Sequence, residues 1–523
     1  MAATRERASR PRFWSLLFWL TTLATALPLA IVRHPPFTDL PEHVAAIATL
    51  AKLLPGGGGA PYEIAFGSSQ YFLYHLTGAV LTRVLGDAIL AHGVLLAGVA
   101  VLWPVSLRAL LRALKRDERL AIFGCMLVYN RALVIGFLPF IASVPIALFA
   151  LAALRRHLEA PSLRRGLAAG ALALMLFYTH ASLVLPFALA STVMILVRAG
   201  AARSLRLAVV AGVPFVPSAA AALVWWRAGS LTAPSGQPEM GAHLPIGASI
   251  SAMPIWTFEI WRSHVDELCA GAWWTAFAVI LAIGLKKDLT RATLFALVPF
   301  ACTLVLYLVT PHYLGMAGYL SVRLAPILAL FAVLGLEPKQ GRAGDLPLVA
   351  AAVAAIVMAG DSAFEMRRAE REQLGDLDAL LAHARPGTRL AMLNFDTRSP
   401  RVVFWPYAFA GSYHRARGGS VTSYSFTEMA HWPIHYRAGS EPPVHSPVWV
   451  YTPCEYRYRS DGAYYDYVLV QGDDVDPFAE PTPGPQFKAV ARSRSFTLFE
   501  KTAAPSDDTT LERGPCAAPP GPG

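Results

Sequence analysis

The chain has 523 residues, 55% of them apolar and only 15% charged, with 45 Lys and Arg set against 35 Asp and Glu. That balance excludes an ordinary soluble enzyme, in which charged residues make up about 25%. The net charge of +10 is unevenly placed: residues 1–360 carry 28 basic and 15 acidic side chains, whereas residues 361–523 carry 17 and 20. A basic surplus confined to the apolar part points to membrane insertion, which retains Lys and Arg in cytoplasmic loops, and it removes the case for a nucleic-acid partner.

Arg5, Arg7, Arg10 and Arg12 precede an apolar run from Phe13 to Val32. About 20 residues of helix reach about 30 Å, enough to cross the hydrocarbon. No small-residue cleavage site follows in Pro28–His34, so the run is expected to stay as an uncleaved first span with its N-terminus inside. Ten further runs lie near 88–106, 120–133, 137–154, 166–178, 182–197, 207–226, 268–285, 292–310, 324–337 and 346–360. Basic clusters at Arg108–Arg119, Arg155–Arg165, Arg198–Arg206, Lys286–Arg291 and Lys339–Arg342 fall in every second loop, as the positive-inside rule requires of eleven passes. Loops 33–87, 227–267 and 311–323 then face out, as does everything after residue 360. Tyr71–Leu85 is apolar but carries Arg83; counting it as a span would invert the Arg108 cluster, so it is expected to be interfacial or re-entrant. The runs 120–133, 166–178 and 324–337 are short for a crossing and need protein neighbours or a wet cavity. The second of these ends at an outer polar turn, Tyr178-Thr179-His180.

After Gly360 the charges become dense and the apolar runs shrink. Asp361–His383 reads as a helix stopped at Arg385-Pro386-Gly387. Arg389–Asn394, Ser420–Phe426 and Tyr465–Gln471 read as strands, Lys488–Glu500 as a hairpin and Tyr407–Ala416 as a helix. The expected fold is a mostly α polytopic bundle of about eleven spans, N-terminus in and C-terminus out. Residues 1–360 form its membrane domain, with an outer loop over 33–70 that carries an amphipathic helix. Residues 361–505 form an extracytoplasmic α/β domain, and 506–523 read as a disordered tail. Five cysteines show no CxxC pair or metal spacing. Cys125, Cys269 and Cys302 lie in or beside spans, and Cys454 with Cys516 can form a disulfide outside.

The outer loop opens with Phe37-Thr38-Asp39-Leu40-Pro41-Glu42-His43. On a helix, a spacing of three sets Asp39 and Glu42 on one face, with His43 a step round. A carboxylate at the water boundary can take a proton from an attacking hydroxyl. The same residues also spell a capping box, Asp39-x-x-Glu42 with Pro41 in the first turn, which starts a helix with no chemistry intended. Both readings stand at this stage.

These residues, the eleven-pass plan and the 361–523 domain together resemble the GT-C superfamily of integral membrane glycosyltransferases. The resemblance implies inverting transfer of a hexosyl or pentosyl group from a polyprenyl-phosphate carrier, in a cell inner membrane, with membrane lipid and the lipid-linked donor as partners. It puts Asp39 in the place of the outer-loop general base, with Glu42 as the fallback. A divalent metal cofactor is neither implied nor excluded, for no ligand motif supports one.

A phosphate-linked donor needs cations where its leaving group develops charge. Arg323 opens span 324–337 from outside and can clamp two phosphate oxygens; a flanking Arg also snorkels to head groups. Arg83 and Arg131 are alternatives. His43, His180, His312 and Tyr313 are further candidates for the substrate pocket, although such residues also settle at the interface or on a backbone carbonyl. Trp225, Trp226, Trp256, Trp261, Trp273 and Trp274 fall at outer span ends, where indoles form an interfacial belt. Two rival functions remain open: a lipid or sugar transporter, which would show repeated halves with ionisable residues at mid-depth, and a non-catalytic scaffold of the same architecture.

Overall fold

A computed structural model describes residues 2–54, 56, 61–65, 69–227, 243–284, 290–313, 318–443, 448–479 and 487–503. Among them, seven helices are long and apolar enough to cross a membrane: Pro11–Ile31, Ala88–Ala113, Leu138–Glu159, Ala181–Ala201, Leu205–Arg227, Val265–Gly284 and Arg342–Leu381. Four shorter apolar helices accompany them, Phe72–Leu85, Ile246–Phe258, Val298–Val309 and Leu320–Gly335. This is the helical set of a multi-pass membrane protein. The first helix, α1 (Ala2–Ile31), shows the solvent it is built for. Leu16, Leu20, Leu23 and Leu27 are exposed, while Thr21, Thr22 and Thr25 are buried, the inverse of a soluble helix and the arrangement that lipid favours.

The chain divides into two compact units. The first comprises residues 1–31, 96–133 and 137–364 and holds most of the long helices. The run 120–133, expected as a span, is not one helix there. It is a 3-10 turn at Glu118–Ile122, one helical turn at Phe123–Met126, a break, and then Arg131–Ile135. Every residue from Leu120 to Asn130 is buried. Broken backbone at membrane depth survives only where protein supplies partners, and it does so here. Asn130 Nδ2 donates to the Leu127 and Val128 carbonyls at 2.8 and 3.2 Å, Trp273 Nε1 to the Phe123 carbonyl at 3.1 Å, and Tyr129 Oη to the Thr25 carbonyl at 2.6 Å. Trp273 and Trp261 are both fully buried, and Trp261 donates to Ser362 Oγ at 3.0 Å. These two indoles are therefore structural and not part of an interfacial belt, whereas Trp226 is exposed.

The composition change at Gly360 is not a helix end. One helix runs Arg342–Ala369, widens into a π-turn at Glu370–Leu374 and is followed by Leu377–Leu381. It stops at Gly375, whose φ of +65° and 2.3 Å clearance from Ser493 Oγ to a would-be Cβ admit no side chain.

The second unit comprises residues 32–95, 134–136 and 365–523, so the loop after the first span folds with the C-terminal residues. Helix α2 (Leu40–Leu53) is buried from Leu40 through Leu50 and packs against α3 (Phe72–Leu85). The strands are β1 (Tyr62–Ile64), β2 (Leu390–Asn394), β3 (Ile434–Tyr436), β4 (Tyr467–Gln471), β5 (Phe487–Ser493) and β6 (Phe496–Lys501). One sheet has the order β2-β4-β6-β5, with β2 and β4 parallel and the other pairs antiparallel. A second pairs β1, between α2 and α3, with β3, Tyr62 opposite Tyr436. The expected strand Ser420–Phe426 contributes a single bridge, Leu390 to Thr422. Its serines divert the ladder: Ser423 Oγ accepts from the Met392 amide at 2.9 Å, and Ser425 caps the short turn Phe426–Glu428. The expected helix over Tyr407–Ala416 shortens to Ser412–Ala416. Cys454 is disulfide-bonded; Cys516 and the tail 506–523 lie outside the described residues.

Candidate functional site

In the second unit the acid loop is built by backbone pairing. The Thr38 and Asp39 amides donate to the Val134 and Ile135 carbonyls at 3.0 and 3.2 Å, and Thr38 Oγ1 donates to the Trp405 carbonyl at 2.8 Å. Gly136, at φ +98°, permits this approach: a Cβ there would stand 2.5 Å from the Asp39 nitrogen. Asp39 occupies the N-cap position of α2, yet it makes no side-chain cap hydrogen bond, and Pro41 in the first turn supplies the helix start. The capping box of the sequence pattern is therefore absent. Asp39 is half-buried, and its charge helps push Tyr451, already raised by burial, up to about 12.

Glu42 does not reach back to the cap. It is fully buried and accepts from Arg415 Nη2 at 3.3 Å, Ser425 Oγ at 3.2 Å, the Phe426 amide at 3.0 Å and the Ser412 hydroxyl. Four donors at one carboxylate, with Arg415 itself only 1% exposed, make an internal ion pair of the kind that anchors a fold. His43 is buried as well, its Nε2 3.0 Å from the Gly136 carbonyl and its Nδ1 3.0 Å from His75 Nε2. At the start of the same loop His34 meets Glu370 at 3.1 Å and Asp378 at 3.7 Å. Burial disfavours the charged ring, but the two carboxylates outweigh it and raise His34 above the ordinary histidine value. Arg33 reaches both Asp378 and Asp87, at 2.7 and 3.0 Å. Arg83 lies within 3.5 Å of the Ala51 carbonyl.

In the first unit, Arg323 is 6% exposed, which rules out a snorkelling side chain. Its guanidinium lies 3.8 Å above the Phe137 ring, donates to Ser182 Oγ at 3.1 Å and stands 3.3 Å from His180 Nε2. His180 Nδ1 accepts from the Ser182 amide at 3.1 Å, so a neutral His180 carries its proton on Nε2. His312 Nδ1 is 2.7 Å from Ser321 Oγ, and its ring is flanked by Trp256, Tyr313 and Tyr319. Tyr313 is partly exposed. Arg131 is committed elsewhere, to the Glu259 carboxylate at 2.9 Å and the Glu259 carbonyl at 3.2 Å.

This unit also holds an apolar cavity of about 760 Å³, walled by Ile250, Met253, Phe277, Leu304 and Leu328 and ending at Glu337. There Arg116 meets Glu337 at 2.8 Å. Among the described residues, no three His, Cys, Asp or Glu side chains converge to hold a metal.

The structure thus gathers Asp39, Glu42 and His43 in one unit, and His180, Arg323, His312, Tyr313 and Arg131 in the other. Sequence reasoning missed His75, hidden in the apolar Tyr71–Leu85 run, and Arg415, one basic residue among many in a charged domain.

The sequence matches no protein-family model and no curated protein. The fold is more informative. ArnT from Cupriavidus metallidurans, bound to undecaprenyl phosphate, superimposes with a TM-score of 0.54 at 14% identity, covering 94% of this chain and 98% of that one. The chain has the fold of ArnT. Apo ArnT gives 0.51 at 13% identity over the same shares. The mycobacterial arabinofuranosyltransferase AftD gives 0.49 at 14%, over 95% of this chain and 40% of its own.

Proposed function

We propose that the chain is an inverting membrane glycosyltransferase that takes its sugar from a polyprenyl-phosphate carrier, with the second unit on the outer face of a cell inner membrane. Asp39 is the general base. It takes the proton of an acceptor hydroxyl as that oxygen attacks the anomeric carbon, and the bond from that carbon to the phosphate oxygen breaks with its electron pair staying on the phosphate. Within the first unit Arg323 is the candidate ligand of the carrier phosphate, its planar guanidinium being able to clamp two phosphate oxygens. The apolar cavity of the first unit suits an isoprenoid chain, and ArnT, whose fold this chain has, is the protein seen with undecaprenyl phosphate.

The observation that carries this reading is the contrast between two acids three residues apart. Glu42 is fully buried and sealed by four donors, while Asp39, at the helix start, is half-buried. The test is reconstitution of the purified chain in liposomes with a panel of polyprenyl-phosphate hexoses and pentoses. Release of polyprenyl phosphate, with inverted configuration in the product, supports transfer. An intact donor across the whole panel, with the lipid bound but never cleaved, would favour a scaffold.

A further inference from the structure

The His43–His75 contact does not close as a pair of neutral rings. His43 Nε2 lies 3.0 Å from the Gly136 carbonyl and His75 Nδ1 lies 2.8 Å from the Tyr71 carbonyl. Carbonyl oxygens only accept, so both of those nitrogens carry hydrogen. If each ring were neutral, the remaining nitrogens, His43 Nδ1 and His75 Nε2, would present bare lone pairs to each other at 3.0 Å. The rings are inclined by 24° with centroids 5.2 Å apart, the separation of two rings meeting edge to edge through that N···N line, so the lone pairs are aimed at one another. Both residues are buried, where opposed acceptors are costly.

We infer that the pair holds one extra proton, as an imidazolium–imidazole hydrogen bond, and that this buried cation is a positioning device for Asp39. The surroundings are equipped for the charge. The two carbonyls cap its ends, and the Trp432 ring lies 5.1 Å from His43 and 4.8 Å from His75, within cation–π range. Burial disfavours charge on His75 against the pull of the Tyr71 carbonyl; in the shared-proton arrangement His43 is the donor, through Nδ1, to His75 Nε2. Among the described residues, the titratable groups around the pair include Tyr74, bonded to His92 at 2.8 Å, His431 against Tyr71, and Glu42, whose charge is matched by Arg415. Asp39 lies one turn back on the same helix, its carbonyl accepting from the His43 amide at 3.2 Å. A cation at that spacing favours the carboxylate over the acid and keeps Asp39 ready to accept a proton. This role rests on the reading of Asp39 as the base; the shared proton does not.

The test is nitrogen NMR of the full chain in lipid nanodiscs, labelled with ¹⁵N-histidine and assigned with His43→Gln and His75→Gln separately. At pH 7 one ring should show two protonated nitrogens and its partner one, and both patterns should change in either variant. Two neutral rings would overturn the proposal. The second reading is the pH profile of transfer by His75→Gln, whose amide can donate to His43 Nδ1 and so removes the need for the extra proton. The acid limb should move up by about one pH unit, which loss of packing alone would not produce. An unmoved limb in a variant of normal stability overturns the positioning role. Failure of the base assignment would appear elsewhere, as full turnover by Asp39→Asn with the nitrogen spectrum unaltered.

Discussion

Glu42 and Arg415 are 373 positions apart in the chain and meet at 3.3 Å with neither side chain more than 1% exposed. The first residue belongs to the loop after the first span and the second to the C-terminal residues, so the pair closes the second unit on itself. Removing one partner of such a pair leaves an uncompensated buried charge. Arg415→Ala should therefore cost about 3–5 kcal/mol, read as a lowered midpoint in thermal unfolding. Glu42→Gln should also lower the midpoint. A Glu42→Gln protein of unchanged stability that had lost transfer would instead make Glu42 the general base.

Gly136 is the backbone counterpart of that pair. With φ at +98° and the Asp39 nitrogen 2.5 Å from the site of any Cβ, Gly136→Ala combines strain of about 1–3 kcal/mol with displacement of the acid loop. Transfer should fall by more than stability alone explains, measured as kcat on the folded fraction. Normal kcat in the alanine variant would show that the loop tolerates movement.

Arg323 should behave as a planar phosphate ligand. Arg323→Ala should weaken binding of polyprenyl phosphate by about 10–100-fold, and Arg323→Lys, which keeps the charge but loses the fork and the stacking on Phe137, should fall in between. Titration of each variant in nanodiscs separates the cases. Equal losses in both, with normal insertion, would point to packing on Phe137 as the main role.

The Arg33–His34 latch carries a pH signature. His34 is raised above its ordinary value of 6.5 by Asp378 and Glu370 against the effect of burial, so its contribution is complete below that value and fades as pH rises through the folded one. Asp378 is lowered, first by its bond to His34, with burial opposing and Arg33 assisting. Its share is present above the ordinary carboxylate value of 3.8 and fades only at strongly acid pH. The stability gap between wild type and His34→Gln should be widest near pH 5–6 and shrink toward pH 9 in thermal melts. A gap constant with pH would mean that the imidazole acts by shape alone.

Orientation is tested at Arg398, whose side chain is 87% exposed. Ser412, buried against Glu42, would be closed to reagent. Arg398→Cys should react with an impermeant maleimide in intact cells. Reaction only after lysis would place the second unit inside.

The broad architecture was legible because lipid imposes it: runs of apolar residues at 13–32, 88–106 and 137–154 reappear as long helices, since a bilayer accepts little else. The break at 120–133 was not legible, because its apolar letters are the same as a span's and only the distant partners Thr25 and Trp273 make the broken backbone tolerable. The site was half legible. Asp39-x-x-Glu42 marks itself by charge in an apolar loop, but the pattern cannot tell a cap from a base or from an internal ion pair. That distinction depends on Ser412, Arg415 and Ser425, more than three hundred residues away. His75 carried no signal of its own, for a histidine within an apolar helix acquires meaning only from the ring it meets.

The most direct measurement is turnover by Asp39→Asn in liposomes containing a donor that the wild-type chain consumes, with the unfolding midpoint recorded in parallel. With Asp39 as the base, the rate should fall by about 10²–10⁴-fold while the midpoint stays within a degree or two of wild type. Turnover near the wild-type rate at unchanged stability would contradict the account.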